Sequence, residues 1–280
     1  MTLIEWHNKY QVQLQDRYEV DAIRFYFKQL IDVFFGWGTT TLGLHPNREL
    51  NLPEESLLET ALSRLLDNEP LQYILGHTSF MGMDLQVNSH TLIPRPETEE
   101  LVAWVLESTD SKDRVVLDIG TGSGCIALAL KKARSNWILH ALDVSPEALD
   151  LAKQNAQNLS LELDWLLADI KALPKTLPNF DIIISNPPYV TAEEKKHMRA
   201  NVLDYEPHLA LFTPEGEPLF YYKKIMEMAQ KKLRPNGRVY LEINPMFYYE
   251  LGEMVVSFGF KKVELRKDIF DKKRMLCCQR

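Results

Sequence analysis

Asn186-Pro187-Pro188-Tyr189 brings two hydrogen-bond acceptors, a flat ring and a stiff backbone together in four residues. A residue before proline is pushed out of the helical region, and each proline fixes its own φ, so Asn186 is presented with little conformational freedom. Neither proline has an N–H, which leaves carbonyls that can only accept. The Asn186 amide oxygen, the carbonyl beside it and the Tyr189 ring suit a planar NH2 group: two acceptors take its hydrogens, the ring covers its face, and the nitrogen is aimed at an electrophile. An amide nitrogen is a poor nucleophile because its lone pair is delocalised. Acceptors drawing on its protons favour charge on nitrogen as a methyl group arrives, and a neutral Asn does this without being a strong base.

A second group of residues offers a place for the methyl donor. Asp118-Ile119-Gly120-Thr121-Gly122-Ser123-Gly124 runs from an apolar strand pattern straight into an apolar helix pattern. Glycines permit the tight turn and the close approach of a ligand, and free amides at the helix start suit an anionic group. Asp143 stands nineteen residues beyond Gly124, at the carboxyl end of the next strand pattern, where a carboxylate can accept both ribose hydroxyls. Asp169 ends the third strand pattern, where it either accepts from an adenine amine or caps a loop. Gly120, Thr121, Gly122, Ser123, Gly124, Asp143, Asp169, Ile170 and Asn186 are therefore expected to hold a nucleoside cofactor. Gly122-x-Gly124-x-x-Ala127 also satisfies the dinucleotide fingerprint, which keeps a hydride-transfer reading open. No acid or base set for hydride chemistry follows, however, whereas the tetrapeptide fits S-adenosylmethionine, with S-adenosylhomocysteine as product and no metal.

These residues need a framework to meet. Strand and helix patterns alternate, with strands at 114–119, 138–144, 163–167, 180–185, 238–243, 262–265 and 275–278, and helices at 125–133, 146–158, 219–233 and 248–258. The expected fold is α/β: a Rossmann-like, seven-stranded methyltransferase sheet, mostly parallel, with an antiparallel last strand because the final two strands lie too close for a helical crossover. The tetrapeptide then falls at the carboxyl end of the fourth strand, facing the ligand crevice. Ahead of the sheet, Ile23, Tyr26, Phe27, Leu30, Ile31 and Phe34 share one helical face, as do Leu57, Leu58, Ala61, Leu62, Leu65 and Leu66, with Gly36 and Pro53 as stop and start signals. The expected organisation is a small N-terminal helical bundle for substrate docking at 1–75, a β-hairpin connector at 76–95 and the methyltransferase domain at 96–280.

Composition narrows the classes. The 280 residues carry a net charge of −7, and residues 1–75 hold six basic against eleven acidic residues, a net of −5. This disfavours a general electrostatic grip on nucleic acid, which depends on Lys and Arg. Cys125, Cys277 and Cys278 give neither a disulfide framework nor metal-ligand spacing, and the seven histidines form no ligand cluster. No apolar run reaches the ~18 residues of a membrane span. A reducing, cytoplasmic setting, no membrane contact and a monomer are expected. The acidic and basic run 192–199 is expected as a solvated or mobile loop, Tyr221 and Tyr222 as packing residues, and Cys125 as a small packing residue despite its place at a helix start.

The match extends beyond the cofactor turn. Glu69-Pro70-Leu71-Gln72-Tyr73-Ile74-Leu75-Gly76, Phe80, Ile93-Pro94-Arg95-Pro96-Glu97-Thr98-Glu99 and Tyr205-Glu206-Pro207-His208-Leu209-Ala210-Leu211, together with the tetrapeptide, resemble the protein-(glutamine-N5) methyltransferases of peptide-chain release factors, the PrmC/HemK family. The resemblance covers nearly the whole chain. It implies methyl transfer to the glutamine of a Gly-Gly-Gln tripeptide in bacterial class I release factors, with no direct nucleic-acid partner. It further implies that Asn186, Pro187, Pro188 and Tyr189 hold the glutamine, with Asn186, Pro187 and Tyr189 catalytic, and that Arg95, Glu97 and Thr98 line the cofactor side of the connector. Two segments depart from the family pattern. Glu242-Ile243-Asn244-Pro245-Met246-Phe247 stands where Glu-x-Gly-x-x-Gln is common, and 268–274 lacks the usual glycine between its Asp and Arg. Alternatives are an amino methyltransferase acting on a ribosomal-protein glutamine or on adenine or guanine, and a non-catalytic binding module.

Overall fold

The computed structural model describes residues 1–174 and 176–280. They divide into two compact units, Met1–Gly76 with Arg199–Tyr205, and His77–Met198 with Glu206–Arg280. The segment expected as a separate connector thus clusters with the second unit from His77 onward, and 199–205 clusters with the first. No helix among the described residues is long and apolar enough to cross a membrane.

The first unit is built from amphipathic helices whose ends are capped. Leu3–Leu14 starts with a Thr2–Glu5 capping box, Leu52–Leu66 with an Asn51–Glu54 box, and Val20–Phe35 stops at Gly36 in the left-handed conformation. Leu3, Tyr10, Ile23, Phe27, Leu30, Ile31, Leu58, Leu62 and Leu65 meet in its core. Leu57, expected on the inner face, is 46% exposed, because the buried stripe of its helix runs through Leu58, Ala61, Leu62 and Leu65.

In the second unit, β1 (His77–Phe80) and β2 (Met83–Gln86) form a two-stranded antiparallel hairpin. The sheet that follows takes β3 (Val115–Ile119), β4 (Ile138–Asp143), β5 (Asp164–Leu167), β6 (Phe180–Ser185), β7 (Leu233–Glu242), β8 (Lys261–Lys267) and β9 (Lys273–Gln279). Among the described residues its order is β5-β4-β3-β6-β7-β9-β8. The pairings from β5 across to β7 are parallel, and β9 runs antiparallel to both β7 and β8. Successive side chains of a strand alternate faces. Accordingly Val116, Ile182, Ile184 and Tyr240 enter one apolar core while Leu117, Ile119, Ile183, Val239 and Leu241 enter another. The chain order reverses at β3, between β4 and β6, so the carboxyl ends of these strands frame the crevice where ligands of open α/β sheets bind.

Three expectations shift. A helix not among those expected spans Pro96–Glu107, with Pro96 at an early position where its missing N–H is no loss; that helix buries Thr98, Leu101, Val102, Trp104 and Val105. Strand β7 begins at Leu233, five residues earlier than its apolar run, and its pairing with β6 is irregular between Phe180 and Ile182. Within 192–199, Ala192–Lys195 forms a helical turn with a Thr191–Glu194 capping box, and Glu194 also accepts from Asn244 Nδ2 at 2.8 Å, so this part is tied down.

Gly124 is the residue the turn can least exchange. It caps helix Cys125–Ala133 at φ +83°, and a Cβ there would lie 3.0 Å from Leu128 Cδ1 and 3.2 Å from Ala152 Cβ. Gly124→Ala is expected to cost about 1–3 kcal/mol through backbone strain and crowding. A lower urea midpoint at unchanged slope would report it, and an unaltered midpoint would refute it.

Candidate active site

A cleft of about 250 Å³ opens at the carboxyl ends of β3, β4 and β6. Gly120, Thr121, Gly122, Ser123, Asp143, Asp169, Ile170, Asn186, Pro187 and Pro188 all line it. Gly124 and Tyr189 are not among its lining residues: Gly124 packs beneath the turn, and the Tyr189 ring packs against the core around β7. Arg95 and Thr98 line the cleft and Glu97 does not. Tyr221, expected as a packing residue, lines it too.

The glycine turn is held open toward the cleft. A Cβ on Gly120 or Gly122 would meet nothing within 4 Å, so the main chain there is accessible to a ligand. Asp143 accepts from Gly122 N–H at 2.8 Å through one carboxyl oxygen and from Ser145 N–H at 3.0 Å through the other. Each oxygen keeps a further lone pair. Burial raises the Asp143 pKa, and the N–H groups of Ser145 and Gly122 offset this only in part. At Asp169, desolvation alone would raise the pKa, but the N–H of Lys171 at 2.9 Å and its ammonium, also at 2.9 Å, hold it below the usual range.

Beneath the turn lies Asp118, with no exposed surface. Thr121 Oγ1 donates to Oδ2 at 2.7 Å, while Oδ1 has no partner among the described residues. Burial pushes this carboxyl up to about 7. The native chain therefore keeps a proton up to about pH 7 that the unfolded chain releases near 3.8, so stability contributed below pH 4 is lost as pH rises through that window. The full difference is at most roughly 4 kcal/mol. Asp118→Asn is expected to remove this slope. Denaturant titrations at pH 5 and pH 7.5 on both proteins check it, and equal slopes would contradict it.

The tetrapeptide is anchored by residues far away in sequence. Asn186 Nδ2 donates to Thr98 Oγ1 at 3.2 Å, and Thr98 Oγ1 donates to Glu242 Oε2 at 2.6 Å. Tyr189 Oη donates to Glu242 Oε1 at 3.0 Å and accepts from Arg274 Nη1 at 3.3 Å, and Arg274 Nε donates to Asp268 at 3.3 Å. Burial raises the Glu242 pKa against the lowering effect of Thr98, Tyr189 and Arg274. The two segments that depart from the family pattern thus form the floor under the tetrapeptide. Asn244, at the position where the pattern has glycine, donates to the Tyr189 carbonyl at 3.1 Å as well as to Glu194. Asn186 Oδ1 makes no hydrogen bond among the described residues.

Other supports carry no motif. Asn155, fully buried, accepts from Gln86 N–H at 2.7 Å and donates to the carbonyls of Gln86 and Ser123, tying the hairpin to the glycine turn. Ser185 donates to the Ile119 carbonyl at 2.7 Å, and buried Glu206 accepts from Arg95 and from Ile93 N–H. A polar residue on the buried face of a helix was the available sign for Asn155. Cys125 is buried, and desolvation pushes its thiol up to about 12, as suits a packing residue. Among the described residues, no group of three or more His, Cys, Asp or Glu side chains is placed to hold a metal ion.

Known structures share this architecture. A methyltransferase from Pyrococcus furiosus aligns with 79% of this chain and 98% of its own at a TM-score of 0.54 and 20% identity. The human methyltransferase 10 domain containing protein aligns with 80% and 96% at 0.51 and 20%. At such identity the likeness is one of fold alone. In sequence, the family model of the methyltransferase small domain matches residues 97–206, and that of the PrmC N-terminal domain matches residues 5–76. Release factor glutamine methyltransferase of Flavobacterium psychrophilum is 39% identical over 99% of this chain and 98% of its own. The proteins of that name from Bacteroides thetaiotaomicron and Lactococcus lactis are 40% and 44% identical, over 87% and 80% of this chain and 88% and 82% of theirs. The chain belongs to the release factor glutamine methyltransferase family. That membership displaces the hydride-transfer reading.

Proposed function

We propose that this protein transfers a methyl group from S-adenosylmethionine to the side-chain amide nitrogen, N5, of the glutamine in the Gly-Gly-Gln tripeptide of bacterial class I release factors. Membership in the family supports the reaction and the substrate. The observation that carries the residue roles is the Asn186 side chain, whose NH2 end is engaged by Thr98 and whose oxygen is left to receive a donor at the edge of the cleft.

The residues present fit the cofactor. Open main chain at Gly120 and Gly122 accommodates its amino-acid end, Asp143 retains lone pairs for ribose hydroxyls, and Asp169 and Ile170 border the space for adenine. Bound S-adenosylmethionine supplies an electrophilic methyl carbon and a neutral sulfide leaving group. The chain does the rest. Asn186 Oδ1 and the Pro187 carbonyl accept the two amide hydrogens, which fixes the plane of the glutamine amide and increases electron density on its nitrogen. Tyr189, held by Glu242 and Arg274, fixes the far end of the tetrapeptide, and in this role it is a support more than a stacking surface. The helical unit of residues 1–76 is assigned the docking of the release factor's body.

Mass spectrometry of a class I release factor after incubation with the protein and S-adenosylmethionine tests the reading. One added CH2 on the Gly-Gly-Gln glutamine is expected. Modification confined to a ribosomal protein or to nucleic acid, or to another release-factor residue, would replace it.

A further inference from the structure

We propose that Glu242 and Thr98 are positioning residues that decide which end of the Asn186 amide faces the cleft. This rests on the glutamine-methylating reading and extends it to residues outside the tetrapeptide. With Glu242 ionised, as the charge of nearby Arg274 favours, its carboxylate has only acceptors, so the two hydroxyls flanking it, from Thr98 at 2.6 Å and Tyr189 at 3.0 Å, must both donate to it. Arg274 agrees with that direction, because its guanidinium donates to the Tyr189 oxygen at 3.3 Å and leaves the phenol proton for Glu242.

The consequence reaches Asn186 through one atom. A threonine hydroxyl has a single proton, and Glu242 takes it. The oxygen facing Asn186 is therefore an acceptor, and only the NH2 end of the amide can satisfy it, at 3.2 Å. The flipped amide would set two acceptors against each other in a buried place, since Thr98 and Glu242 are almost fully buried. With the flip forbidden, Oδ1 is presented to the cleft as the acceptor that a substrate NH2 requires. An Asn free to rotate would present its own NH2 half of the time, opposing donor to donor. Glu242 thus supplies polarity to both ends of the tetrapeptide, directly at Tyr189 and through Thr98 at Asn186. It does so from 53 residues beyond the motif it orients.

Two measurements on the 280-residue chain test this. In 15N-labelled protein, the side-chain NH2 signals of Asn186, assigned by their loss in Asn186→Ala, should move in Thr98→Val and return toward their original place in Thr98→Ser. In steady-state assays on a release factor, Thr98→Val should lower kcat about 10- to 100-fold, as losing an oriented buried hydrogen bond would, with the KM for the release factor changing less than about threefold. Thr98→Ser should recover kcat to within about threefold of the parent. Asn186 signals indifferent to Thr98→Val, or a serine variant as slow as the valine one, would overturn the relay. A parent protein that leaves the glutamine unmethylated while the Asn186 signals behave as expected would instead overturn the proposed reaction and leave the amide orientation standing.

Discussion

Replacing Asn186 by alanine is expected to lower kcat about 10²- to 10³-fold while the dissociation constant for S-adenosylmethionine stays within about threefold. The size follows from removing one preorganised acceptor from a site where charge develops on the substrate nitrogen. The split follows from geometry. Asn186 lies at the end of β6, its NH2 is committed to Thr98, and its oxygen has no partner among the described residues, so its loss withdraws an interaction that strengthens as nitrogen acquires charge. Stopped-time methylation assays paired with calorimetric titration of the cofactor check both halves. Equal losses in rate and cofactor affinity would mean that Asn186 serves the cofactor and not the amide.

The opposite pattern is expected at Asp143. Asp143→Ala should weaken cofactor binding by about 2 kcal/mol, roughly 30-fold, the worth of charge-assisted hydrogen bonds to ribose hydroxyls. At saturating cofactor, kcat should change less than about threefold. The carboxylate also accepts from Gly122 and Ser145 N–H, so the variant frees two main-chain donors and loosens the turn that cradles the ligand. Asp143→Asn separates these effects, because it keeps one acceptor in place while removing the charge. Since burial raises the Asp143 pKa, parent affinity should fall on acidification as the carboxyl gains its proton, and the alanine variant should lack that component. A cofactor dissociation constant unchanged in Asp143→Ala would take the residue out of the ribose site.

The parts of the site that were legible in sequence are those made by short-range rules. Consecutive prolines restrict Asn186 whatever surrounds them, glycines with positive φ at 120, 122 and 124 make the strand-to-helix turn, and strand and helix periods announce β3, β4 and β6 in order. Where those rules conflicted, the reading slipped. No helix is expected between the connector and residue 125, yet the second proline of Pro94-Arg95-Pro96 opens one whose inner face carries Thr98. The irregular start of β7 did not show because its first residues include Pro235 and Gly237, which weaken a strand pattern that the neighbouring β6 nevertheless completes.

By itself, then, the chain's local order determined that a stiff amide and a glycine-lined turn would each stand at the carboxyl end of a strand; that these strands, β3 and β6, are neighbours came from the sheet. Only the tertiary structure decided how that amide is turned. Thr98 lies 88 residues from Asn186, Glu242 lies 144 from Thr98, and Asn155 lies 69 from the hairpin strand it holds. Hydrogen-bond polarity passes between side chains through space, so no spacing or periodicity along the chain encodes it. It exists once the sheet has placed the end of β7 beside that of β6 and the buried carboxylate has claimed the only proton Thr98 has to give.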